Sequence, residues 1–253
     1  MIAFVLFAEK CARQQVRDRV GTALTLLTTP AFAGLYGMLG RGDVGHDRAF
    51  DAFVPGLLVL SVIMIVFSSA MALTREVESG AMRRVRTWPV SASAVLGGSA
   101  SVQLVLAVAA NALTLLTARA MGATVGTSAL TVLALCALTS VSSVGLGLCV
   151  AGLSQTQGRA FLVASLVMFL LLLFSGVIFP RPQVHWLTLR GMQLGPFDLL
   201  PTTHLHAALG QVLGSAKSES VAQRTWALSG LSALYFAAGV ITFRARHGVG
   251  RAR

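Results

Sequence analysis

Charge is what this chain has least of: 9 acidic residues and 20 Lys or Arg in 253 positions, 11% in all. A soluble globular domain carries about 25%. The deficit is concentrated, for residues 20–40, 52–74, 89–118, 120–158, 160–180 and 225–243 contain no Asp, Glu, Lys or Arg. Each stretch supplies the roughly 20 apolar residues that a helix needs to cross a bilayer. Within 120–158 only 128–153 reads as a span, because 121–127 is rich in Gly and Thr and reads as a connector. The expectation is an all-α polytopic membrane protein with six transmembrane helices, forming a single domain over 1–253 with no length left for a second.

Further absences remove whole classes of function. No span holds an ionisable residue, which argues against a proton-coupled carrier or a voltage sensor and against an intramembrane hydrolase with a carboxylate pair or His base. No catalytic residue is therefore assigned. Cys11, Cys136 and Cys149 form no CxxC pair and read as small packing residues. His204 and His206 are two apart and would face opposite sides of a helix, so no metal site is expected. The nearest approach to a Walker A loop, 210–218 (GQVLGSAKS), has the wrong Gly and Lys spacing and no strand before it. The chain is expected to bind no cofactor, with any ATP held by a separate subunit. No aromatic-interleaved basic patch accompanies the net charge of +11, which sets nucleic acid aside and leaves anionic membrane lipid as the partner of that charge.

What is present has a clear polarity. In residues 1–19 the apolar run precedes the charges, unlike a cleavable signal. On a helical wheel Phe4, Val5, Ala8, Cys11, Ala12 and Val16 oppose Glu9, Lys10, Arg13, Gln14 and Arg17, the pattern of an interfacial helix. Of the 20 basic residues, 13 fall on the side of the N-terminus, so both termini are expected in the cytoplasm. Cysteine placed at Gly248 should then resist a membrane-impermeant maleimide in intact cells, while cysteine at Ser215 reacts, in a cysteine-free background. The reverse labelling pattern would overturn the orientation.

The inner loop 74–95 presents Val77, Ala81, Val85 and Trp88 on one side of a wheel, with Arg75, Glu76, Ser79, Arg83, Arg84 and Arg86 covering the rest. Pro89 should stop this helix, and Gly80 delays its start, since Gly costs about 1 kcal/mol in a helix interior. Glu78 falls on the apolar side, either as a docking carboxylate or as an acid near a helix start. Outside the membrane on the other face, 181–224 contains two segments, 184–194 and 202–213, that read as helices too short to span, punctuated by Pro182, Pro196 and Pro201. A re-entrant helical hairpin or a mobile external loop are the two readings. Within the spans, Gln103 and Asn111 lie eight residues apart on one face. Such residues either glue helices together or touch cargo.

Two motifs resemble a known family. Glu78-Ser79-Gly80 followed by Pro89-Val90-Ser91 is similar to the E-x-G-T … P-x-S signature after the second span of type 2 ABC export permeases, with Ala81 in place of Thr. Phe174-Ser175-Gly176-Val177-Ile178-Phe179-Pro180, Trp186-Leu187, Gly195-Pro196 and Leu199-Leu200-Pro201 follow the same pattern. The family includes the daunorubicin-resistance-type drug exporters. The resemblance implies a homodimer or heterodimer of permeases in a bacterial inner membrane, resting on cytoplasmic ABC ATPase subunits. Residues 75–90 would form the coupling loop, with Glu78, Gly80, Arg83, Arg84, Val85, Trp88 and Pro89 touching the ATPase. Gln103, Asn111, Ser175 and Phe179 would line the path of a drug-like or lipid-like amphiphile. A permease for haem or polysaccharide and a non-transporting scaffold or assembly factor are the alternatives.

Overall fold

A computed structural model describes residues 2–39, 46–80, 92–123, 129–178, 187–189, 192–214 and 221–247. They form helices α1 (Ile2–Arg17), α2 (Arg19–Leu39), α3 (His46–Glu78), α4 (Ala92–Ala120), α5 (Ala129–Leu153), α6 (Gln157–Phe174), α7 (Pro201–Val212) and α8 (Val221–His247). Six of them are long and apolar enough to cross a membrane: α2, Phe50–Glu78 of α3, Ala94–Ala120 of α4, α5, α6, and Ala222–Arg246 of α8. The six uncharged stretches of the sequence coincide with them. Hydrocarbon leaves no alternative partner for backbone amides, so each uncharged run closes its hydrogen bonds within itself as a helix.

Among the described residues α5 is the centre of the bundle, packed along both α8 and α3. Glycine makes this possible. A Cβ on Gly145 would stand 2.5 Å from the Tyr235 carbonyl oxygen and 2.6 Å from Phe236 Cα, both in α8. A Cβ on Gly152 would come within 3.1 Å of the Phe243 backbone, and one on Gly147 would collide with Ser69 of α3. Small residues drive such close approach because lipid supplies no hydrophobic force between helices. The polar residues of α5 are absorbed locally: Thr139 donates to Leu135 O at 2.9 Å, Ser140 to Cys136 O at 2.7 Å and Ser142 to Thr139 O at 2.6 Å. The outer faces of α2, α6 and α8 stay apolar and unpacked, with Leu24, Leu162 and Trp226 well exposed, as a lipid-facing surface is.

Two expectations are corrected. The wheel that groups Val77 with Ala81, Val85 and Trp88 is cut at its start: α3 runs unbroken through Arg75, Glu76 and Val77 to Glu78, while residues 81–91, where the loop helix is expected, lie outside the described residues. Nothing along α3 there breaks a helix until Gly80, whose φ of 70° ends the run with its N–H on Val77 O at 3.1 Å, the usual role of a glycine just past a helix end. The second correction concerns the outer segment. Its second arm is helical, as α7, buried through Leu205, Ala208 and Leu209 against the core of α3 and α5. At 12 residues it is too short to cross. The first arm, expected as a helix over 184–194, is instead an antiparallel pair, β1 (Leu187–Leu189) and β2 (Met192–Leu194), with Leu189 opposite Met192. A helix over this stretch would carry Gly191 in its interior and meet Gly195 and Pro196 at its end, and an interior glycine weakens a helix by about 1 kcal/mol. A short turn of 3-10 helix, Pro196–Leu199, joins it to α7.

Candidate functional site

A half-open cavity of ≈ 530 Å³ lies in the half of the bundle that α1 caps, lined by α1, α2, α3, α4 and α6, with the exposed Leu24 and Phe161 at its rim. Helical spacing explains how one sequence builds its wall. Met64, Phe67, Ser68, Met71 and Arg75 recur every three or four residues along α3, which stacks them on one face. Phe161 and Met168 of α6 face them, and Phe67 meets Phe161 edge to face at 5.4 Å between centroids, a geometry favoured by the ring quadrupoles. From α4 the buried Gln103 enters the wall, its Oε1 accepting the Ser68 hydroxyl at 3.0 Å.

At the α1 end Arg75 and Glu76, on the last turn of α3, line the cavity, and they and Glu78 each bond to a different neighbour. Arg75 donates to Asp18 Oδ2 at 2.8 Å, between α1 and α2. Glu76 accepts from Lys10 Nζ of α1 at 2.6 Å. Glu78 accepts from the backbone N–H of Gln157 at 3.1 Å, the first residue of α6. Asp18 also takes the Gly21 N–H at 3.2 Å, capping the start of α2. The Arg75 guanidinium holds the Asp18 carboxyl below its ordinary range. Cys11, on the α1 face toward Glu76, has its thiol pushed up to about 11, first by burial and then by the Glu76 charge, with Lys10 opposing.

The wheel assignment of the two glutamates is thereby reversed. Glu76, expected on the solvated side, has 7% of its side chain exposed, whereas Glu78, expected on the apolar side, is an exposed residue. A wheel drawn on one helix does not include α1, and it is α1 that covers Glu76. Of the remaining sequence candidates, Gly80 ends α3, and Arg83, Arg84, Val85, Trp88, Pro89 and Phe179 lie outside the described residues. Gln103 joins the cavity. Asn111 sits two turns farther from the α1 end, fully buried, with Nδ2 on Ala107 O at 2.8 Å. Ser175 caps the far end of α6, donating to Leu172 O at 3.0 Å and accepting from Val177 N–H at 3.4 Å. Neither reaches the cavity. Ser68, Lys10 and Asp18 carried no distinguishing signal in sequence; only the partners α4 and α3 single them out.

A family model described as ABC-2 type transporter matches residues 3–197, from α1 into the 3-10 turn before α7. A search of curated proteins finds no match.

Proposed function

The chain belongs to the ABC-2 type transporter family, and is thus the multi-pass membrane permease component of an ABC transporter; from that premise we propose that it works as an exporter, with the cavity as the inner vestibule. The α1 end faces the cytoplasm and receives a separate ATPase subunit at the loop after α3. Two permeases, identical or not, form the transporter in a bacterial inner membrane, and the cargo is a drug-like or lipid-like amphiphile. A vestibule walled by Met and Phe with a few buried polar groups suits such a cargo.

One observation carries this reading. The last turn of α3, directly before the loop 79–91, is bonded at once to α1, to the α1–α2 junction and to the start of α6. A push on that loop reaches three elements that line the cavity. Glu78 is the exposed member of the set, and the one an ATPase can touch. Removing a hydrogen bond to a charged group costs roughly 1.5 to 3 kcal/mol. Glu78→Ala is therefore expected to weaken ATPase co-purification or transport at least tenfold, with Glu78→Gln less affected because it keeps an acceptor. Arg13→Ala, on a side chain 75% exposed, is the matched surface control. Wild-type transport and co-purification in Glu78→Ala would remove Glu78 from the coupling path.

A further inference from the structure

The cavity contains a polar group that packing leaves idle. Gln103 is 2% exposed, and a carboxamide offers two N–H donors besides its acceptor oxygen. The oxygen is taken by the Ser68 hydroxyl at 3.0 Å. The Nε2 group has no hydrogen-bond partner among the described residues. Nor is it sealed into the packing as the unpaired Asn111 Oδ1 is, so it faces the void that Gln103 lines. A donor held among apolar walls without a partner is costly, and a ligand acceptor relieves that cost.

The charges around the cavity select in the same direction. Its ionised lining residues are Asp18, Arg75 and Glu76; Asp18 is matched by Arg75 at 2.8 Å and Glu76 by Lys10 at 2.6 Å. The lining charges alone sum to −1, and Lys10, which pairs with Glu76 from outside the lining, brings the four to zero, so no charge is left without a counter-ion. An ionised head group entering here loses water and gains no partner.

We propose that Gln103 is a specificity-determining residue, and that the cavity takes an uncharged amphiphile whose carbonyl oxygen accepts from Gln103 Nε2 while its apolar body lies against Met64, Phe67, Met71 and Phe161. The inference rests on the vestibule reading above and adds the chemistry of what enters. Ser68 acts through Gln103 as a positioning residue, fixing which end of the amide points inward.

The test uses the full-length chain in lipid nanodiscs without the ATPase, with prodan, an uncharged naphthyl ketone, as the fluorescent probe. Dimethylaminonaphthalene lacking the ketone and the trimethylammonium analogue of prodan are the comparisons, and partition into empty discs is subtracted. Wild-type protein should bind prodan saturably and about tenfold more tightly than either comparison, the effect of one buried hydrogen bond. Gln103→Leu should lose about tenfold for prodan and leave the ketone-free probe unchanged. Ser68→Ala, which keeps the amide donor but frees it to turn, should retain a preference for the ketone that is smaller than in the wild-type protein. No saturable prodan binding, an unchanged ketone preference in monodisperse Gln103→Leu, or equal binding of the ammonium analogue would each overturn the proposal. Failure of the ATPase to associate would strike the transport reading instead and leave these binding ratios standing.

Discussion

Valine at Gly145 is expected to prevent stable assembly of the bundle. The new Cβ would lie 2.5 and 2.6 Å from backbone atoms of Tyr235 and Phe236, and backbone cannot rotate aside as a flexible side chain can. Overpacking a core costs about 1 to 3 kcal/mol when side chains absorb it; here α5 and α8 must separate, so a loss above about 3 kcal/mol is expected. Gly239 faces the same contact from α8, where a Cβ would strike the Gly145 carbonyl. Alanine at Gly230 is the control: it lies within α8 with nothing inside 4 Å of its Cβ. Relieved of glycine's helix penalty, it should be neutral or gain up to about 1 kcal/mol. Thermal unfolding in detergent, followed by loss of the monodisperse chromatographic peak, separates the two. A Gly145→Val protein as stable as wild type would show that α5 and α8 do not meet there.

The Lys10–Glu76 pair carries the next largest effect. Its carboxylate is 7% exposed and its ammonium 47%, which places it between surface pairs, worth about 0 to 1 kcal/mol, and buried pairs, whose disruption costs about 3 to 5 kcal/mol. Lys10→Met, which strands a buried carboxylate, should therefore cost roughly 1 to 3 kcal/mol while α1 stays docked through Phe4 and Ala8 against Gly97 and Gly98 of α4. Transport should fall with it while α5 and α8 stay packed. Cys11 supplies a local reading of the electrostatics. With its thiol pushed up to about 11, roughly one molecule in a thousand is thiolate at pH 8, so alkylation is slow. Glu76→Gln removes a charge that raises the thiol and should speed alkylation at fixed pH. Lys10→Met removes the charge that opposes it and should slow alkylation. Opposite signs identify a field effect, because simple loosening of α1 would speed both. Equal acceleration in the two variants would refute the pairing as drawn.

How much of this was legible in the sequence follows from the physics of each element. The spans were, because hydrocarbon dictates composition over twenty residues and no neighbour is needed to read it. The β1–β2 pair was not: Leu187-Thr188-Leu189 is too short a run for period 2 to outweigh a helical reading. Gln103 and Asn111 were indistinguishable, being amides on one face of one helix, and only the depth at which α3 and α6 part from α4 makes the first a wall residue and the second a packing residue. Arg75 and Glu76 were visible as charges, but their roles depend on α1 folding back alongside α4, which brings Lys10 to the end of α3 and which no single-helix pattern encodes. Glu78-Ser79-Gly80 does mark the end of α3, while the burial expected of Glu76 and Glu78 was inverted.

The unequal lengths of α3 and α6 set the membrane itself. α6 has 18 residues, about 27 Å at 1.5 Å per residue, slightly less than the roughly 30 Å of an average hydrocarbon core. The uncharged part of α3, residues 52–74, packed against it, has 23 residues, about 35 Å. Hydrophobic mismatch of this kind resolves by tilting the long helix and thinning the bilayer around the short one. The thinned annulus would fall beside α6, on the wall of the cavity. Lipid thickness thus becomes a control on the protein: a bilayer a few ångströms thicker would stretch that annulus and shift the tilt of α3 without touching a single side chain.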